Sequence, residues 1–342
     1  MKRRLILGLL GALACGTANQ HFDRPNPSER VAPPPTSEGA RPTSGESHAA
    51  VRIVVEPGDR GRSLTAAIQG AKKSVHVTMY LMTLKTNQIV KALIERAQEG
   101  VDVKVILNAK FPNNINANKR VYQALEQAGV NVKWAPAAFE YTHSKCVIID
   151  GNEAWIMTMN AVWSAFEKNR EYAAIDSEPA DVAEAELIFA ADWDDKSSTP
   201  QGDLVVSPDN ARARIEGLIS SAKKTIDVEV ESLSDTGIVA RLSEAEARGV
   251  QVRAVIGQTE RPATQQAIAK LKEAGVEVVD ATGKEPPIHA KAIVVDNTKA
   301  YIGSINMTYT SLTKNRELGV IVTVPSEVAK VATTIARDLQ LN

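Results

Sequence analysis

From Val51 onward the sequence repeats itself in order, so the chain must fold as two like halves. Ala71-Lys72-Lys73-Ser74 returns 151 residues later as Ala222-Lys223-Lys224-Thr225. Gly100-Val101-Asp102-Val103 returns after 149 residues as Gly249-Val250-Gln251-Val252, and Ala128-Gly129-Val130 after 146 as Ala274-Gly275-Val276. The offset drifts only by small insertions and deletions. Two homologous lobes follow, 51–197 and 203–342, joined near Ser197 to Gly202.

Within each lobe strand-like and helix-like segments alternate. Val75–Met79 and Ile226–Val230 are short β-rich runs, and Val103–Leu107 and Val252–Ile256 are further strands. Between them, Ile89–Gln98 and Ile238–Arg248 carry apolar residues at helical spacing and stop at Gly100 and Gly249. This rhythm predicts an α/β fold of two α/β/α sandwich lobes, each around a mixed, mostly parallel sheet. Asp227, Glu229 and Glu231 alternate onto one face of the second lobe's first strand, matching His76, Thr78 and Tyr80. A strand face that polar is expected to meet a wet cleft or the other lobe, with Tyr80 and Glu231 as candidate cleft-lining residues.

The residues ahead of Val51 have a different character. Lys2-Arg3-Arg4, an apolar run from Leu5 to Leu13 and small residues up to Cys15 read as a bacterial-type export signal over 1–15. Ala12-Leu13-Ala14-Cys15 resembles a lipoprotein cleavage box, making Cys15 a candidate lipidation point and membrane anchor; Ala12-x-Ala14 equally fits plain secretion. Residues 16–50, with Pro33-Pro34-Pro35, read as a disordered Pro/Ser-rich linker. The formal charge is −1, and loss of the three basic signal residues would leave −1 − 3 = −4. That is not the basic surplus of a protein gripping long nucleic acid. Two cysteines and five histidines show no zinc-site spacing.

The chemistry-bearing residues are duplicated too. His143-Ser144-Lys145 is followed by Asp150, and His289-Ala290-Lys291 by Asp296 at the same distance. The apolar runs Cys146–Ile149 and Ala292–Val295 read as buried strands, on which His and Lys, two apart, share a face. Seventeen residues after each histidine stands an asparagine, Asn160 or Asn306. Twenty-eight after each stands a glutamate, Glu171 or Glu317, closing an identical Lys-Asn-Arg-Glu tetrapeptide.

With these residues in place the chain resembles the phospholipase D superfamily, whose signature is His-x-Lys-x4-Asp-x6-Gly-Ser-x-Asn. The second lobe matches throughout, with Gly303, Ser304 and Asn306. The first lobe has Met157 and Thr158 in place of Gly and Ser, which retains a hydroxyl but adds bulk expected to narrow the pocket or shift that backbone. The resemblance implies a monomer acting as a pseudo-dimer, its lobes related by a pseudo-twofold axis that brings both His-Lys pairs to one site. It also implies a metal-free, cofactor-free phosphodiesterase with a covalent phosphohistidine. His143 would be the nucleophile and His289 the acid/base, with Asp150 and Asp296 structural.

The residue types suit that chemistry. Lys145 and Lys291 offset the phosphate charge, with Asn160, Asn306 and the Ser304 hydroxyl as neutral partners. Glu171 and Glu317 are expected to bond the second nitrogen of the histidines and fix the tautomer. Thr158, Trp163 and Tyr309 join Tyr80 and Glu231 as candidate substrate-lining residues. Hydrolysis of a phospholipid, or transfer of its phosphatidyl group, is the expected reaction. Two alternatives stay open: an exported nuclease acting on nucleic acid, and an inactive phosphate- or lipid-binding module.

Overall fold

A computed structural model describes residues 51–85, 88–112 and 116–341. The expected signal (1–15), Cys15 and the linker (16–50) lie outside the described residues. Lobe one runs β1 (Val51–Glu56), α1 (Arg62–Gly70), β2 (Ser74–Met79), α2 (Gln88–Gln98), β3 (Asp102–Leu107) and α3 (Lys119–Gln127). It continues with β4 (Asn131–Trp134), β5 (Lys145–Ile149), β6 (Glu153–Met157), α4 (Trp163–Glu167), β7 (Glu171–Asp176) and α5 (Pro179–Trp193). Lobe two repeats the series as β8 (Val205–Ser207), α6 (Ala211–Ser220), β9 (Thr225–Val230), α7 (Thr236–Ala247), β10 (Gln251–Ile256) and α8 (Pro262–Glu273). It ends with β11 (Glu277–Asp280), β12 (Lys291–Val295), β13 (Lys299–Gly303), α9 (Tyr309–Thr313), β14 (Glu317–Val322) and α10 (Pro325–Asp338).

Each lobe forms a seven-stranded sheet in the same order, β1-β7-β6-β5-β2-β3-β4 and β8-β14-β13-β12-β9-β10-β11. The sheets are mixed, as the rhythm predicted, but not mostly parallel. Only β2–β3–β4 and β9–β10–β11 pair in parallel. The other pairings are antiparallel. The reason is local. The parallel neighbours are joined by the crossover helices α2, α3, α7 and α8, whereas only the five-residue α4 and α9 interrupt the antiparallel run that follows. After the motif strand, Asp150-Gly151 and Asp296-Asn297 take positive φ and close tight hairpins of three connecting residues, with Asn152 N–H bonded to Ile149 O and Thr298 N–H to Val295 O, each at 2.9 Å.

The outer face of sheet one packs on α1, α2 and α3 through Ile68, Leu93 and Leu125. Sheet two does the same on α6, α7 and α8 through Ile215, Leu242 and Leu271. The inner faces share one core, in which Ile148 and Ala174 join Val294 and Val320, with Phe189 of α5 and Val331 of α10. Two isolated bridges stitch the lobes reciprocally: Thr142 pairs with Arg316, and Arg170 with Ile288. Such exchange of equivalent positions is what a twofold relation between like halves produces. It is reinforced by two buried cross-lobe ion pairs, Arg170 with Asp338 at the end of α10 and Arg316 with Asp192 near the end of α5.

Candidate active site

The reciprocal bridges fix the residues just before the two motif histidines, and this brings His143 and His289 into one cleft. His143 N–H donates to Arg316 O at 2.9 Å, and His289 N–H to Arg170 O at 3.3 Å. Both histidines line a cavity of about 470 Å³ together with Tyr80, Tyr141, Asn160, Glu231, Gln258, Arg261, Asn306 and several hydroxyl side chains.

The glutamates reach the histidines crosswise. His143 Nδ1 lies 2.8 Å from Glu317 of lobe two, and His289 Nδ1 lies 2.8 Å from Glu171 of lobe one. Both carboxylates are fully buried. Burial raises the Glu317 carboxyl, but His143 and Lys145 outweigh it and hold that group below the usual carboxylate range. With Nδ1 engaged on each ring, Nε2 is the atom left for chemistry.

Asn169 and Asn315, from the same tetrapeptides, donate to Glu171 and Glu317 at 3.4 and 2.8 Å. Sequence reasoning used only the last residue of Lys-Asn-Arg-Glu. The structure gives work to three: Asn holds Glu, Glu holds the opposite histidine, and Arg170 or Arg316 braces the lobes. The identity of the whole tetrapeptide was the signal.

The lysines are completely buried at the heads of β5 and β12. Lys145 Nζ donates to His143 O at 2.5 Å and lies 4.9 Å from the Tyr80 ring centre. Burial pulls its ammonium down to about 7. Burial likewise lowers His143 below the ordinary histidine value against the upward pull of Glu317. Lys291 Nζ donates to His289 O at 2.7 Å and also to Glu231 Oε2 at 2.8 Å. Asn160 and Asn306 each carry a buried, unpartnered Oδ1 at the cleft.

Asp150 and Asp296 sit at the far ends of β5 and β12. Asp150 accepts from the backbone N–H groups of Lys72, Lys73 and Ser74, and Asp296 from those of Lys223, Lys224 and Thr225. The repeated Ala-Lys-Lys-Ser/Thr is therefore the backbone nest of these carboxylates.

Three expected cleft residues lie elsewhere. Thr158 is buried behind the cleft, where its hydroxyl donates to Glu171 at 2.6 Å and accepts from Tyr172 N–H at 2.9 Å. Trp163 (44% exposed) and Tyr309 (59% exposed) open the short helices α4 and α9 and face solvent, each with a lysine over its ring. One helical position separates Tyr309 from Thr308 and Thr310, which do line the cleft. Ser304 is also buried, bonded to the Leu318 backbone. Met157 does not narrow the pocket, because its side chain lies in the outer core of lobe one. A Cβ on Gly303 would instead meet Gly319 Cα at 2.5 Å and the Tyr301 hydroxyl at 2.6 Å. In lobe two the Tyr301 hydroxyl takes up the space beside Gly303 that a side chain there would need.

A family model described as cardiolipin synthase, PLD-like domain, matches residues 64–193 and again 215–339. Cardiolipin synthase 2 of Bacillus cereus is 24% identical over 329 residues, which span 82% of this chain and 62% of that protein. A cardiolipin synthase of Alkalihalophilus pseudofirmus is 24% identical over 353 residues, 88% of this chain and 68% of that one. Among solved structures, phosphatidylserine synthase of Haemophilus influenzae shares the fold at a TM-score of 0.65 and 13% identity, covering 85% of this chain and 86% of that one. Polyphosphate kinase of Porphyromonas gingivalis also reaches a TM-score of 0.65, at 17% identity, with 85% and 50% covered.

Proposed function

Because this chain belongs to the phospholipase D superfamily, in the family of PLD-like domains typified by cardiolipin synthase, we propose that it breaks a phospholipid phosphodiester and passes the phosphatidyl group to water or an alcohol. The observation that carries this reading is the crosswise His–Glu pairing, which leaves two imidazole Nε2 atoms in one cleft with two buried lysines. The cardiolipin synthases it resembles, and the near-neutral charge, favour a phospholipid over nucleic acid. The basic–apolar–small pattern of residues 2–15 supports an exported, envelope-associated enzyme.

In this mechanism His143 Nε2 attacks phosphorus, and the bond to the head-group oxygen breaks as that oxygen takes the proton from His289 Nε2. Water or an alcohol then returns its proton to His289 and attacks phosphorus. The P–N bond breaks, and His143 is restored. Burial favours the neutral, nucleophilic His143. His289 has the Glu171 carboxylate 2.8 Å from Nδ1 and the Glu231 carboxylate 3.5 Å from Nε2, two anions that suit it to hold and release a proton. Lys145 and Lys291 offset the phosphate charge.

The test incubates the full chain with phosphatidylcholine–phosphatidylglycerol vesicles and, separately, with plasmid DNA, both in EDTA. Phosphatidate release with intact DNA is expected, and His143→Ala and His289→Ala should each abolish it. Nicked DNA without lipid turnover would replace this reading with the nuclease one. Turnover surviving either substitution would overturn the shared-site mechanism.

A further inference from the structure

Tyr80 and Glu231 occupy the same backbone position in the two lobes. Tyr80 N–H donates to Ser144 O at 3.1 Å, and Glu231 N–H to Ala290 O at 2.8 Å, in each case the residue after the motif histidine. What the two side chains do there differs. Tyr80 turns its ring edge-on to His143, 4.5 Å between centres, and places that ring 4.9 Å from Lys145 Nζ, which pairs with no carboxylate among the described residues. Glu231 Oε2 takes hydrogen bonds from Lys291 Nζ at 2.8 Å and Asn306 Nδ2 at 3.2 Å, and lies 3.5 Å from His289 Nε2. Gln258 holds the other carboxylate oxygen at 2.8 Å. Burial opposes ionisation of Glu231, but Lys291 and His289 outweigh it, so the group is a carboxylate.

The groups that Glu231 holds are the lobe-two partners assigned above to substrate phosphate. We propose that Glu231 is a charge filter, occupying the lobe-two half of the phosphate site so that the cleft admits singly charged phosphodiesters and turns away doubly charged phosphomonoesters. An incoming anion must share Lys291 with this carboxylate or displace it. Repulsion from the carboxylate scales with the charge of the anion, so a dianion is penalised about twice as much as a monoanion. A phosphodiester carries one negative charge at any physiological pH. A phosphomonoester gains its second near pH ~6. The filter therefore also speeds release of the phosphomonoester that hydrolysis would produce. Tyr80 supplies no such charge, so the preference comes from lobe two.

This inference rests on the phosphodiesterase reading, but its test does not need turnover. Binding of inorganic phosphate and of dimethyl phosphate to the full chain is measured calorimetrically at about pH 7.5, where inorganic phosphate is mostly doubly charged. Wild type should prefer dimethyl phosphate. Glu231→Gln should tighten inorganic phosphate at least about tenfold and dimethyl phosphate clearly less, because a full charge is removed within contact distance. Glu231→Tyr, which installs the lobe-one residue, should move the ratio the same way. A wild type that prefers the dianion, or variants that leave the ratio unchanged, would overturn the filter. A filter confirmed in a protein without phosphodiester turnover would instead overturn the proposed function.

Discussion

His143 is oriented by Glu317, a residue 174 positions away and in the other lobe, across a 2.8 Å Nδ1–Oε2 contact. His289 depends in the same way on Glu171 of lobe one. Each reacting group is thus built by one half of the chain and aimed by the other, so neither lobe alone contains a complete catalytic unit.

The crossed pairing makes each lobe's histidine answer to the other lobe's glutamate. Glu317→Gln, through His143, and Glu171→Gln, through His289, should each lower turnover by about 10²–10⁴-fold. Because His289 moves the proton in both steps, Glu171→Gln should slow formation and breakdown of the phosphohistidine alike, which rapid quench with phosphorus-labelled substrate reads. Wild-type turnover in either variant would contradict the crossed assignment.

The pH profile should be displaced toward acid. Burial lowers His143, so the neutral nucleophile persists below the ordinary histidine value of about 6.5 and the acid limb of kcat/KM moves down. Lys145, at about 7, loses its charge as pH rises through neutrality, and KM should climb there. Lys145→Arg, which does not deprotonate, should flatten that alkaline limb even if it lowers the plateau.

The cross-lobe ion pairs should matter more to stability than surface pairs do. Asp338→Asn leaves Arg170 buried beside the fully buried Glu229 without its principal counter-charge, and should cost about 3–5 kcal/mol in urea unfolding. Exchanging the exposed pair Lys196–Asp194 for alanines should leave the unfolding midpoint nearly unchanged.

Making the lobes alike at the Gly/Met position should harm both. Gly303→Met forces a side chain onto Gly319 and Tyr301, and overpacking of this kind costs about 1–3 kcal/mol. Met157→Ala empties part of the lobe-one core, at about 2–5 kcal/mol. Thermal melts of both variants decide this, and little change in either would mean that the lobes tolerate each other's packing.

Much of this was legible in the sequence, because repetition at fixed spacing marks residues that share a geometry. The offsets between Ala71 and Ala222 and between His143 and His289 revealed two lobes and one duplicated motif before any strand was placed. The crossing was not legible. Glu171 stands at the same distance from His143 as Glu317 does from His289, so each glutamate fits its own histidine equally well on paper. Only the bridges Thr142–Arg316 and Arg170–Ile288 choose between the pairings. The antiparallel half of each sheet was available in Asp150-Gly151 and Asp296-Asn297, whose hairpin chemistry the helix–strand rhythm obscured. Trp163 and Tyr309 show the converse, since nearness in sequence to Asn160 and Asn306 says nothing about direction once a helix turns the next side chains outward.

The different side chains at Tyr80 and Glu231 have a consequence for inheritance. Were the two halves separate copies of a single gene product, any substitution would appear on both sides of the cleft at once, and an aromatic ring facing a carboxylate could never be encoded. Joining the halves in one reading frame lets each side mutate alone. Selection can then tune the nucleophile's surroundings without disturbing those of the acid.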